Sequence, residues 1–175
     1  MNDSMVIMGV AGCGKSSLAA AIARAAGMSL IEGDDRHSTD SRKKMSQGIP
    51  LTDADRSGWL ADLALVLHDR PHGLVLTCSA LRRSYREQLR AAAPQLRFVF
   101  LALTRGEALA RVSARTAHFF SASLVDSQFA TLESPVGEPG VLCVNATLPL
   151  PQLQAQVLAW LQTDAQISVQ AKEAL

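Results

Sequence analysis

Short apolar runs punctuate the chain, and between them apolar positions recur at helical spacing. Met5-Val6-Ile7-Met8, Met28-Ser29-Leu30-Ile31, Leu74-Val75-Leu76-Thr77-Cys78, Leu96 to Leu103 and Val141-Leu142-Cys143-Val144 have the length and composition of buried strands. The intervening segments read as helices. Lys15 to Ala26 is alanine-rich and is followed by Gly27, a natural stop. Thr52 is a good N-cap with Asp55 at the third helical position, and Trp59, Leu60, Leu63 and Leu67 behind it form a core-facing stripe. Further helices are expected up to Ala93, where Pro94 stops the helix, and over Arg105–Arg115, Leu124–Leu132 and Leu153–Leu161. Residues 36 to 50 read as a polar, partly helical excursion, and Pro135 to Gly140 as a loop. This alternation predicts an α/β fold with a five-stranded parallel sheet and helices on both faces.

Length limits the chain to one domain, since 175 residues build one sizeable core. One folded unit is expected over residues 1–162, with 163–175, where periodicity is lost, as a C-terminal extension or tail. A net charge of +1 gives no broad surface for nucleic acid or anionic membrane, so charge-based recognition must be local. Cys13, Cys78 and Cys143 lie far apart with no paired spacing, which suits reduced, mostly buried thiols. No apolar run approaches the roughly 20 residues of a membrane span, and Met1 to Ser4 lacks the positive start of a signal peptide. The expectation is a cytoplasmic protein.

Chemistry enters with Gly9-Val10-Ala11-Gly12-Cys13-Gly14-Lys15-Ser16, set between the first strand and the first helix. Glycine, four residues, glycine, lysine and a hydroxyl residue in that context form a P-loop. Gly9, Gly12 and Gly14 let the backbone approach a ligand closely, and Cys13, Ser16 and Ser17 present further amides at a helix N-terminus that favours phosphate. Lys15 is expected on the β- and γ-phosphates of ATP, and the Ser16 hydroxyl on Mg²⁺. Glu32-Gly33-Asp34-Asp35 closes the second strand, and acids at that sheet edge face the ligand crevice.

Absences narrow the class. The fifth strand runs into Asn145-Ala146-Thr147 rather than a guanine-reading N-K-x-D motif, and the third ends in Cys78-Ser79 rather than a Walker B acid. Asp34 and Asp35 are read as the strand-end carboxylates, an arrangement that suits a small phosphotransferase whose acid meets an acceptor hydroxyl. Arg111 and Arg115 lie four apart on one helix face, ahead of Thr116-Ala117-His118-Phe119-Phe120-Ser121. They predict a mobile lid over about 115–124, with one arginine over the nucleotide and the other on the γ-phosphate.

On these residues the chain resembles the gluconokinases, small P-loop kinases related to shikimate kinase. The resemblance spans roughly residues 5 to 162. It rests on Gly9 to Ser16, Gly33-Asp34 with His37, Lys44-Met45, Gly48 to Leu51, Asp53 with Asp55-Arg56, Trp59-Leu60, Cys78 to Leu81 with Tyr85-Arg86, Arg115 with His118-Phe119-Phe120, and Gln128-Phe129 with Thr131-Leu132-Glu133. It implies a three-layer, nucleoside-monophosphate-kinase-like fold, ATP- and Mg²⁺-dependent phosphorylation of D-gluconate at C6, and a homodimer. The chain departs from the family pattern at Arg36, usually hydrophobic, at Ser38 and Ser57, usually proline, and at Thr116-Ala117, usually lysine-glycine.

With that acceptor in view, Asp34 is the residue expected to orient or deprotonate the C6 hydroxyl, within an acceptor-binding segment over about 34–60. Arg56 and Arg82 are the candidates for the gluconate carboxylate, because a guanidinium fork binds both oxygens. His37 is a candidate hydroxyl partner. Arg111 is assigned to the adenine face by stacking, Arg115 to the transferring phosphoryl group, and Asn145 to the neighbourhood of the adenine. Two alternatives stay open: a related kinase acting on shikimate or a nucleoside monophosphate, and a nucleotide-binding regulatory protein without turnover.

Overall fold

The apolar runs pair into one parallel sheet. In the computed structural model, which describes residues 2–114 and 122–173, the strands are β1 (Met5–Met8), β2 (Ser29–Glu32), β3 (Leu74–Thr77), β4 (Arg97–Ala102) and β5 (Val141–Asn145). Their order is β2-β3-β1-β4-β5, and every pairing is parallel. The helices are α1 (Lys15–Ala26), α2 (Thr39–Ser46), α3 (Asp53–Asp69), α4 (Arg83–Ala92), α5 (Arg105–Ser113), α6 (Ala122–Thr131) and α7 (Leu150–Glu173).

Alternation along β1 divides the core into two layers. Met5 and Ile7 pack with Leu18 and Ile22 of α1, Val112 of α5 and Val157 of α7, while Val6 and Met8 pack with Trp59, Leu63 and Leu67 of α3 and Leu89 of α4. Since α1 and α4 cover opposite faces, the chain leaves β1 toward β2 and leaves β3 toward β4. A crevice opens between the carboxyl ends of β1 and β3, the topological switch point where ligands of open α/β sheets bind.

The local signals behave as their chemistry requires. Gly27 ends α1 in the left-handed region, and Thr52 and Asp55 form a reciprocal capping box at α3. Position in the sheet changes two expectations. Because β2 is an edge strand, Ser29 and Leu30 are exposed rather than buried, and on the opposite edge Cys143 of β5 is exposed while Cys13 and Cys78 are buried. The last helix is also longer than its apolar periodicity, running from Leu150 to Glu173.

Behind the crevice a buried ion pair fixes the loop after β3. The Arg86 side chain is fully buried and donates to the carbonyls of Ala80 and Leu81 at 2.8 and 3.1 Å, and to that of Glu133 at 3.1 Å. Its guanidinium meets Glu138, which Arg90 also reaches at 2.9 Å. The hydrogen bonds from Arg86 hold the Glu138 carboxyl below the usual carboxylate range. The loop so fixed includes Ala80 at φ 46°, an uncommon conformation for a residue with a Cβ.

Candidate active site

Three consecutive turns of chain meet at the switch point: the P-loop after β1, a 3₁₀ turn over Gly33–Arg36 after β2, and Ser79 after β3. The P-loop is anchored to its neighbour, with Gly9 N–H donating to Ser79 O at 3.4 Å. Gly14 is the N-cap of α1 at φ 96°, a conformation open to glycine that turns the following amides toward the crevice. Lys15 Nζ donates to the carbonyls of Gly9 and Val10, both at 3.2 Å, so its charge stays within the loop.

Glu32, the last residue of β2, is the acid that reaches the P-loop. Its Oε2 accepts from Ser16 Oγ at 3.0 Å and from Thr77 Oγ1 at 2.6 Å. Thr77 is its cross-strand partner and holds the adjoining turn through Gly33 N–H at 3.1 Å. From the sequence, Asp34 and Asp35 are the strand-end carboxylates expected to meet an acceptor hydroxyl, and no acid is expected on the Ser16 hydroxyl. The pairing of Glu32 with Thr77 instead brings a β2 carboxylate to the end of β3. Ser16 and Glu32 form an all-oxygen donor pair, which suits Mg²⁺.

Gly33 carries the acidic turn at close quarters. A Cβ there would lie 2.1 Å from Thr77 O, and the Gly33 carbonyl accepts from the indole N–H of Trp59 at 2.7 Å. Gly33→Ala is therefore expected to displace the β2 end and destabilise the fold by about 2 kcal/mol. Denaturant unfolding checks this, and an unchanged midpoint would contradict it.

Asp34 and His37 project from this turn and its end. Asp34 is exposed, while His37 is buried and stacked on Trp59 with ring centres 4.2 Å apart and planes 17° from parallel. His37 Nε2 stands 3.9 Å from Asp34 Oδ1, and its Nδ1 is buried without a partner among the described residues. Burial pushes the imidazole pKa down, the Asp34 charge pulls it up, and Arg56 and Arg42 lower it further, for a net decrease from 6.5. The unfolded chain thus binds a proton near pH 6.5 that the folded chain resists. Folding stability should fall as pH drops below about 6.5 toward the folded-state value. His37→Phe, which keeps an aromatic ring against Trp59, should flatten that slope in denaturant titrations at pH 5.5 and 7.5.

One cleft is lined by Lys15, Asp34, His37 and Arg56 together with Ala11, Trp59, Ser79 and Gln128. Arg56 Nη1 donates to Leu51 O at 2.7 Å, which holds one edge of its guanidinium beside the cleft. Arg82 is placed differently: it does not line the cleft, and its Nη1 lies 3.1 Å from Asp53 Oδ2, an oxygen pair-mate of the carboxylate atom to which Tyr85 OH donates. Arg111 bridges the P-loop and the turn after β5, donating to Gly12 O at 3.5 Å and Ala146 O at 2.7 Å. Beside it Asn145 Oδ1 accepts from Thr147 N–H at 2.9 Å, closing the turn after β5. Arg115, assigned to the transferring phosphate, and most of the expected lid fall outside the described residues.

The family departures next to His37 have local partners. Arg36 pairs with Asp62 of α3 at 3.1 Å, and Ser38 is the N-cap of α2, accepting from Ser41 N–H at 3.1 Å. Neither lines the cleft that contains Asp34. Sequence reasoning missed Glu32, Ser79 and the role of Trp59 as a platform. Each carried a signal: Glu32 adjoins Gly33-Asp34, and Ser79 and Trp59 lie within motifs on which the family resemblance rests.

Comparisons with known proteins bear on this geometry. A family described as an AAA domain matches residues 5–135. The chain is 45% identical to a gluconokinase of Gluconobacter oxydans over 148 residues, 81% of either chain. It is 35% identical to the thermoresistant gluconokinase of Escherichia coli over 157 residues, covering 87% of this chain and 90% of that one. The crystal structure of a gluconokinase from Sinorhizobium meliloti superposes with a TM-score of 0.89 at 44% identity, over 96% of each chain.

Proposed function

The chain belongs to the gluconokinase family of P-loop kinases, and we propose that it transfers the γ-phosphoryl group of ATP to the C6 hydroxyl of D-gluconate, giving 6-phospho-D-gluconate and ADP. The observation that carries this reading is the shared cleft: Lys15 of the phosphate loop lines the same wall as Asp34, His37 and Arg56. Phosphoryl transfer depends mainly on alignment and charge stabilisation. In this reading the amides of Gly12 to Ser17 cradle the nucleotide phosphates, and Lys15 exchanges its loop carbonyls for phosphate oxygens. Asp34 orients the C6 hydroxyl and accepts its proton as the new P–O bond forms and the bond to ADP breaks. Arg56 takes the sugar-acid carboxylate, and Arg82, paired with Asp53, is the second candidate for it. His37, neutral near pH 7, offers ring nitrogens to the hydroxyl chain.

Ser16 and Glu32 would hold Mg²⁺, which neutralises charge on the β- and γ-oxygens when bound. Arg111 and Asn145 lie on the adenine side, and residues 115–124 with Arg115 act as the lid that excludes water. We also propose a homodimer in the cytoplasm, as the family resemblance implies. Among the described residues no helix is long and apolar enough to cross a membrane.

A coupled ADP-release assay over gluconate, shikimate and nucleoside monophosphates tests the reading. Mg²⁺-dependent turnover restricted to gluconate is expected. Turnover restricted to another acceptor would reassign the substrate, and nucleotide binding without turnover on any acceptor would make the chain a binding protein.

A further inference from the structure

Gln128 reaches the P-loop from far along the chain. Ala11 N–H donates to Gln128 Oε1 at 2.6 Å, a short bond joining the first turn of the domain to α6. The backbone donor settles which way the amide faces, because only the oxygen of glutamine accepts. The Nε2 group is then left with two N–H donors, and Gln128 lines the same cleft as Asp34, His37 and Arg56.

The helix behind it is well anchored. Val125 is buried in the core, Asp126 receives a forked pair of bonds from Arg105 of α5 at 2.7 and 3.0 Å, and Glu133 N–H donates to Leu81 O at 2.8 Å. The amide is thus presented from a fixed element, as a residue that must hold a geometry requires. Asp34 is acceptor-only when ionised, so the cleft needs donors for the oxygens of a polyhydroxylated acceptor, and a half-buried amide supplies two.

We propose that Gln128 is a positioning residue that ties the acceptor to the phosphate loop: Oε1 holds the Ala11 amide in place, and Nε2 donates to a hydroxyl of the bound sugar acid. This rests on the kinase reading above. The loop geometry suited to transfer is then reinforced when the acceptor is seated, which favours transfer to the hydroxyl over transfer to water.

The test compares wild type with Gln128→Met, which keeps side-chain length and loses both hydrogen-bonding roles, and Gln128→Glu, which keeps an acceptor for Ala11 and loses the donors. Steady-state constants are measured with gluconate and its singly deoxygenated analogues, alongside the ratio of ADP released to phosphogluconate formed. Both variants should raise KM for gluconate about 10-fold or more. The hydroxyl whose removal penalises wild type should matter little to either variant, a selectivity change that a structural role would not produce. Gln128→Met alone should raise the share of ATP lost to hydrolysis. Wild-type KM and wild-type discrimination among the deoxy analogues in both variants would overturn the inference, as would losses that track a fall in Tm. Absence of gluconate turnover in wild type would instead defeat the kinase reading itself, which keeps the two failures apart.

Discussion

Asp34→Asn is expected to lower kcat with gluconate by about 10²- to 10⁴-fold, the range for loss of a positioned proton acceptor. Asparagine preserves the shape of the side chain and one hydrogen-bond acceptor, so alignment of the hydroxyl is largely retained. What disappears is the negative charge that draws the proton away as the P–O bond forms. Asp34 is exposed and makes no contact on which the core depends, so thermal stability should change by less than about 0.5 kcal/mol. Nucleotide affinity should also hold within a few-fold, since the phosphate loop follows β1 and the acid lies in the turn after β2. Stopped-flow chemistry with equilibrium ATP binding separates these effects. Undiminished turnover by a folded Asp34→Asn protein would remove the residue from the mechanism.

The largest effect on folding is expected at Arg86. Arg86→Met leaves Glu138 buried without its principal cation and strips three backbone carbonyls, those of Ala80, Leu81 and Glu133, of their donor. Breaking one side of such a pair costs about 3–5 kcal/mol, or roughly 10 °C in Tm for a domain of this size. The double variant Arg86→Met with Glu138→Gln should recover the charge component and not the carbonyl component, leaving it between wild type and the single variant. Because the affected loop carries Ser79 into the cleft and accepts the Gly9 amide, KM for the acceptor should rise as well. A single variant as stable as wild type would mean that the buried pair is dispensable.

Features governed by neighbouring residues were legible in the sequence. The strand runs, the Thr52–Asp55 box, the Gly27 stop and the phosphate loop depend on residues a few positions apart, and the structure has them where the pattern does. Features that depend on sheet order were not. The apolar character of Leu30 says nothing about β2 lying at an edge, and its exposure follows from the order β2-β3-β1-β4-β5. Four residues, Glu32-Gly33-Asp34-Asp35, supply three carboxylates, and spacing alone does not say which one meets Ser16. The register of Glu32 against Thr77 decides it. Arg82 follows a strand end, and its pairing with Asp53, on another element, is not visible in the sequence. The flanks of His37 depart from the family pattern, and their partners Asp62 and Ser41 become visible only once α2 and α3 are folded.

The central proposition is that the chain aligns a sugar-acid hydroxyl with the nucleotide γ-phosphate in the crevice between β1 and β3. Phosphorus NMR of wild-type enzyme incubated with ATP, Mg²⁺ and D-gluconate tests this most directly, because it reports where the phosphoryl group goes. A single phosphomonoester coupled to the C6 protons, formed in step with ADP, is the expected result. Inorganic phosphate alone, or an ester at another carbon, would contradict it.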